Sequence, residues 1–292
     1  MSSTSPDIAF AYTTNQNGAS LAYIDPTTKS LTDLGKFYDE NDLSTPLSAI
    51  FGIAYGQDGN LYVSQQNGGD NGTTQIWKVN LPPVSNKVTL TKIGTGTGLL
   101  NVNGTVDSAA IGVHAMDIAP DGQMYALDFN GRLSTIDLTT GLATFVVQTT
   151  GGGISGAPMD MVFDSDGILY VVDGDDFYSV NTSTGNITPI NSGYSESLMG
   201  LWADAEGNVY ASSWTIPGKY YSIDKATGSL TELSAAVGTR PHGGDFYIAY
   251  PDWGGAATNP LAAATKQLQS KKTVRTSSTI MISELAIATV MH

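Results

Sequence analysis

The chain has 292 residues, a formal net charge of −14, 33 glycines and no cysteine, and charged residues make up only 14% of it. That length fits two ordinary domains or one large all-β domain, and the glycine-rich, charge-poor composition favours β structure with many turns. The acidity argues against nucleic acid and anionic membrane surfaces as partners, which are held by Lys and Arg, and the missing cysteines remove disulfides, thiolate catalysis and Cys-based zinc sites together.

Along the chain, MSSTSPDIAF has neither a basic n-region nor an apolar h-region, so it does not read as a signal peptide. A strand is expected over Ile8–Thr13, then the phrase YID-PTTKS at Tyr23–Ser30. That phrase, an apolar pair, then Asp or Asn, then a small polar turn, returns as KVN-LPPVSNK (Lys78–Lys87), TID-LTTGL (Thr135–Leu142), SVN-TSTGN (Ser179–Asn186) and SID-KATGS (Ser222–Ser229). A second phrase precedes most of these: FGIAYGQDGNLYVS (Phe51–Ser64), AMDIAPDGQMYALD (Ala115–Asp128), MDMVFDSDGILYVVD (Met159–Asp173) and MGLWADAEGNVYASS (Met199–Ser213). It reads as a hairpin closed by Asp-Gly or Glu-Gly, with Tyr62, Tyr125, Tyr170 and Tyr210 in the same place after the turn. Together the phrases predict four strands per unit, A to D, in a repeat architecture.

The first unit has no room for strand A, and HGGDFYIAY (His242–Tyr250) reads as a strand A with nothing after it. Joined, the two ends make one unit. The expected fold is therefore all-β: a five-bladed β-propeller of four-stranded antiparallel blades, closed by pairing N-terminal strands with a C-terminal strand. Closure also removes exposed sheet edges, whereas an open β-solenoid or a sandwich, the competing readings, leaves the seam unexplained. The expected domains are a propeller over 1–251 and a tail over 252–292, either docked or poorly ordered. The tail is locally basic (Lys266, Lys271, Lys272, Arg275) and its apolar end is too short to span a bilayer.

Blade topology places the B–C loops and the D-to-A connections on one face, the top, where the long and varied segments fall. Long loops on a rigid scaffold are where binding and catalysis concentrate. Three candidate sets lie there. Phe51, His114, Met159, Met199 and His242 start the strands that ring the channel mouth, and His114 and His242 could move protons or hold a metal. Asp128 and Asp173 end strand B, and Asp175 and Asp176 follow in the DGDD loop, an oxygen-rich set suited to Ca²⁺ or Mg²⁺. Asp117, Asp160 and Asp245 lie on or beside strand A. Trp214 in SSWTIPGK, Tyr194, Phe37 and Tyr38 within KFYDEND, and Arg240 form a ligand-binding set, since exposed rings can stack on sugars or apolar ligands. No nucleophile elbow and no phosphate-cradling loop is present.

The hairpin phrase followed by ID-x-x-TG resembles the NHL and gluconolactonase-like group of β-propellers, and it looks like bacterial surface propellers with the same phrase, over Ile8 to Tyr250. In gluconolactonase-like enzymes Glu, Asn and Asp at the mouth hold a divalent cation; here the acidic mouth candidates are aspartates, and that Glu has no counterpart. Streptogramin lyases, which are also similar, use a mouth histidine and Mg²⁺. The resemblance implies His114 or His242 for that place, without the neighbouring motif. Two functions are thus expected: a module binding a glycan, protein or small molecule with its top loops, or a metal-assisted lyase or hydrolase at the mouth. The surface-propeller likeness favours an extracellular or cell-surface location.

Overall fold

The structure is a computed structural model, and it describes residues 12–14, 20–24, 31–56, 58–67, 73–94, 112–151, 158–204, 206–215 and 218–235. His242, Arg240, the expected closing strand, the start of the first strand and the whole 252–292 tail lie outside these residues. Among the described residues there are twenty strands, and no helix is long and apolar enough to cross a membrane.

The first strands are β1 (Tyr12–Thr14), β2 (Ser20–Ile24), β3 (Leu31–Asp39) and β4 (Asp42–Pro46). The next unit is β5 (Ile50–Tyr55), β6 (Leu61–Asn67), β7 (Thr73–Val84) and β8 (Lys87–Lys92). Three separate four-stranded antiparallel sheets follow: β9 (Val113–Ile118), β10 (Met124–Asp128), β11 (Arg132–Ile136) and β12 (Ala143–Gln148); β13 (Asp160–Phe163), β14 (Leu169–Val172), β15 (Phe177–Val180) and β16 (Ile187–Asn191); β17 (Leu198–Ala203), β18 (Val209–Ser213), β19 (Lys219–Ile223) and β20 (Leu230–Ala235). In each, the strands are hydrogen-bonded in chain order, as the repeats require.

The turns follow from the repeated residues. In the A–B hairpins the glycine amide bonds back to the carbonyl three residues earlier: Gly59 to Gly56, Gly122 to Ala119, Gly167 to Asp164 and Gly207 to Asp204. The four tyrosines fall at one register position, opposite Ala54, Asp117, Val162 and Trp202. In the C–D turns Asp137, Asn181 and Asp224 each accept two backbone N–H groups through Oδ1, an Asx turn closed by a left-handed glycine.

Burial follows strand position. The inner strands β13 and β17 are buried at every residue, whereas outer β8 and β12 alternate buried with more open positions, the pattern of a strand covered on one face. Four apolar cores result, each between consecutive units. Leu21, Leu34 and Phe37 pack on Ile53, Val63 and Trp77; Tyr62 and Ile76 on Met116, Met124 and Ala126; Leu127 and Leu133 on Met161, Val171 and Tyr178; and Tyr170 and Phe177 on Leu201, Val209 and Tyr221. Burying each such large side chain contributes about 1.5–3 kcal/mol. Polar clasps cross the same boundaries: Ser64 Oγ donates to the Val113 carbonyl, Asp117 accepts the Phe163 amide, and Asp160 accepts the Leu201 amide.

Two segments differ from the sequence expectation. Phe37 and Tyr38 are not in a loop, because β3 runs on through Asp39 and turns at Glu40–Asn41 into β4. The phrase KVN-LPPVSNK is strand as far as Val84, with its turn at Ser85–Asn86 in the left-handed region (φ 54° and 59°). The lengthened hairpin lets β8 pair in parallel with β3, Lys36 to Asp39 alongside Lys87 to Leu90, and this fuses the first two units into one eight-stranded sheet.

Candidate functional site

At the start of β9, His114 is 7% exposed and lies between two rings, Phe51 at 4.2 Å and Phe129 at 4.6 Å centroid to centroid. Its Nε2 is 3.2 Å from Gln66 Oε1, and with the carboxamide so oriented the imidazole N–H is the donor. The surroundings of this histidine are therefore aromatic, with the neutral Gln66 carboxamide at its Nε2. Gln66 and Phe129 were not singled out from the sequence, although Gln66 lies near the end of β6 and Phe129 in the varied DFNG loop.

The strand-A carboxylates are engaged by backbone. Asp117 takes the amides of Ile118 at 2.7 Å and Phe163 at 2.6 Å; Asp160 takes those of Met161 at 2.9 Å and Leu201 at 2.8 Å. Burial pushes the Asp117 carboxyl up to about 7 against these donors.

Asp128 and Asp173 are equivalent by register, each four residues past the first residue of the second strand in its sheet, Met124 and Leu169. Their surroundings differ. Asp128 is 1% exposed; Oδ1 accepts the amides of Asn130 and Arg132, and Oδ2 accepts Arg132 Nε at 2.6 Å. Burial pushes its pKa up, opposed by the Arg132 bonds and charge. It is tied into its own loop, apart from the other three aspartates.

Asp173, Asp175 and Asp176 come together. Each offers a carboxylate oxygen, and these atoms lie within 4.8 Å of one another, so the three could hold a metal ion. The cause is a tight turn between β14 and β15, in which the Asp173 amide bonds to the Asp176 carbonyl. Since Val172 faces Phe177 and Val171 faces Tyr178, strand alternation puts Asp173, Asp176 and Tyr178 on one face of the sheet.

This turn is knitted to its neighbours. Tyr194 N bonds to Asp175 O at 2.8 Å, Gly193 N to Asp176 Oδ1 at 3.1 Å, and Leu198 N to Gly174 O; Trp214 N then bonds to Ser197 O at 2.7 Å. Segments 173–176, 191–198 and 213–215 thus form one hydrogen-bonded surface, with the partly exposed Trp214 on it. The Tyr194 ring is anchored by its hydroxyl, which donates to the Gly228 carbonyl.

The remaining ligand candidates lie elsewhere. Phe37 is fully buried in the core between the first two units, and Tyr38 sits on the outer rim under the Lys87 ammonium, 4.6 Å from its ring centroid.

No protein-family model matches the chain, and no curated protein matches it by sequence. Solved structures do resemble it. A chain of the nidogen/laminin complex aligns with 14% identity over 82% of this chain and 98% of that one, at a TM-score of 0.50. The fold is a β-propeller. Propellers of lower overlap include virginiamycin B lyase from Staphylococcus aureus (15% identity, 82% of this chain and 74% of that one, TM-score 0.46). A protein of unknown function from Bacteroides caccae also resembles it (13%, 82% and 98%, TM-score 0.47). At these identities the likeness speaks for the propeller alone, because function on such a scaffold resides in the loops.

Proposed function

We propose that this propeller is a binding module at or outside the cell surface, taking a glycan, protein or small molecule on the top-face surface built by segments 173–176, 191–198 and 213–215. The carrying observation is the chain of backbone bonds that fixes these loops around Trp214. A surface ordered before its ligand arrives loses less entropy on binding, and an indole supplies a flat apolar face with a polar N–H. The DGDD turn on that surface is the place for a hard cation, Ca²⁺ or Mg²⁺. The lyase or hydrolase reading has less support, since His114 lies between Phe51 and Phe129 and its Nε2 bonds to Gln66.

The scaffold for this reading is a ring of five blades. Support comes from the inner strands: β5, β9, β13 and β17 pack in chain order, β17 and β5 share no such packing, and β1 ends its sheet order where an inner strand belongs. Residues 242–250 are the segment we assign to that place.

The test is a glycan array and a panel of secreted and surface proteins probed with the full chain and with Trp214→Ala. Loss of binding by about tenfold or more, with an unchanged melting temperature, is expected for a central aromatic. Binding that Trp214→Ala leaves intact would overturn the reading.

A further inference from the structure

We propose that the ligand of the Trp214 surface is a neutral glycan, read by the indole together with the Glu196–Lys219 ion pair. The inference rests on the binding-module reading and narrows it to one class of ligand.

A closed circuit of bonds surrounds Trp214. Its amide donates to the Ser197 carbonyl at 2.7 Å. Glu196, one residue earlier, accepts the Lys219 ammonium on Oε1 at 2.9 Å. The Lys219 amide donates to Ser213 Oγ at 3.2 Å, and Ser213 precedes Trp214. Ser213 Oγ also shares a hydrogen bond of 2.8 Å with Thr215 Oγ1. The path from Glu196 through Ser197, Trp214, Ser213 and Lys219 thus returns to its start. Glu196, Trp214, Thr215 and Lys219 are all partly exposed along it. They bring an aromatic face, an acceptor, a donor and a hydroxyl to one place. A sugar ring needs that combination, because it has an apolar C–H face for an indole and hydroxyls that both donate and accept.

The charges on this circuit are matched. Lys219 Nζ is 2.9 Å from Glu196 Oε1 and 3.5 Å from Glu232 Oε2. The Lys219 hydrogen bond holds the Glu196 carboxyl below its usual range, so the pair is ionised at neutral pH. An ammonium has three N–H donors, and the two carboxylates engage two of them. Glu196 Oε2, just beneath the surface, has no hydrogen bond. The pair therefore keeps one donor and one acceptor for a ligand, with no surplus positive charge. Two neighbouring hydroxyls of a sugar fit it. A phosphate, sulfate or uronate requires a surplus cation, and meets instead the exposed Asp175 on the same surface and a chain of net charge −14.

The surroundings favour a glycan over a protein. Cores of protein interfaces are rich in aromatic residues, Met and Arg, and poor in Ser, Asp, Glu and Lys. Segments 173–176, 191–198 and 213–215 have the reverse composition around one partly exposed indole. Among the described residues the exposed large aliphatic side chains, Leu43, Val84, Leu142, Val146, Ile168 and Leu233, all fall outside these segments.

The experiment is calorimetric titration of the full chain with cello-, malto-, xylo- and mannohexaose, and with polygalacturonate and heparin as polyanions. At least one neutral hexasaccharide should bind, with an affinity that changes by less than about twofold between about 50 and 500 mM salt, since no net charge is exchanged. Lys219→Met and Glu196→Gln should each weaken it about tenfold, as loss of a hydrogen bond to a charged group does. Their melting temperatures should stay within about 2 °C of the parent, because a partly exposed ion pair adds little stability. If Lys219→Met melts lower than that, Glu196→Gln, which keeps the side-chain shape, carries the test. Asp121→Asn, in an A–B turn, should bind like the parent. The proposal is overturned if no neutral hexasaccharide binds, if a polyanion binds more tightly, or if Glu196→Gln binds like the parent. A Trp214-dependent protein partner without any neutral glycan defeats this inference and leaves the binding-module reading standing. Hexasaccharide binding that Trp214→Ala leaves intact defeats both.

Discussion

Asp117 combines deep burial with two short backbone hydrogen bonds, one of which reaches the next blade. Its carboxyl is pushed up to about 7 from 3.8. The folded state therefore holds a proton that the unfolded chain releases, and between those values stability falls as pH rises; the contribution is complete below about 4 and lost above about 7. Asp117→Asn cannot titrate, so urea unfolding from pH 4 to 8 should give a flatter stability profile than the parent. An identical slope in both proteins would show that another group controls it. Asp117 was legible as an acid on strand A, but not as a clasp, since nothing in MDIAP says that its oxygens meet the Phe163 amide. The contrast between Arg132 and Phe177, four residues past Asp128 and Asp173, was open to sequence alignment of the two blades, and that comparison separates the tied aspartate from the clustered ones.

Turns and strands carried most of their own signal. The Asp-Gly hairpins and the D/N-x-x-T-G corners set strand order because each fixes a turn chemically, through Asx bonds and a positive φ. Gly185 adds a packing requirement: with φ at 74°, its ideal Cβ would stand 2.1 Å from the carbonyl oxygen of Gln148, in the preceding blade. Gly167 has a similar φ of 77° and nothing within 4 Å. Comparing Gly185→Ala with Gly167→Ala therefore separates backbone strain from collision. Gly167→Ala should cost about 1 kcal/mol and Gly185→Ala about 2 kcal/mol more, read from urea midpoints. Equal costs would show that the rim yields freely. The β3–β4 and β7–β8 extensions were missed because KFYDENDLS and NLPPVSNKV are rich in charge, Pro and Asn, which elsewhere in this chain mark corners. All of β4 is exposed, so no burial pattern betrayed it.

For the whole molecule, repetition made the propeller readable, and the incomplete end units are the sequence feature behind the proposed ring. The chain lengths on either side of Tyr250 give a direct test of that ring. Removing 251–292 should leave the melting temperature within about 2 °C of the parent, whereas removing 242–292 should lower it by roughly 10 °C or abolish cooperative unfolding, since β1 would keep an open edge. If both truncations behave alike, residues 242–250 do not close the ring. Function was less legible than fold because every repeat phrase quoted from the sequence is scaffold, and the loops that differ between blades follow no period.

The parallel ladder between β3 and β8 has a mechanical corollary. Between the third and fourth units a single parallel bridge, Thr150 to Asn186, joins the outer rim, whereas the first and second units share four consecutive register pairs there. Main-chain bonding therefore staples the first unit to the second along the outer rim. A fold loaded by heat or by tension yields first where main-chain bonding is sparse, so the eight-stranded wall should hold together longest as the molecule comes apart.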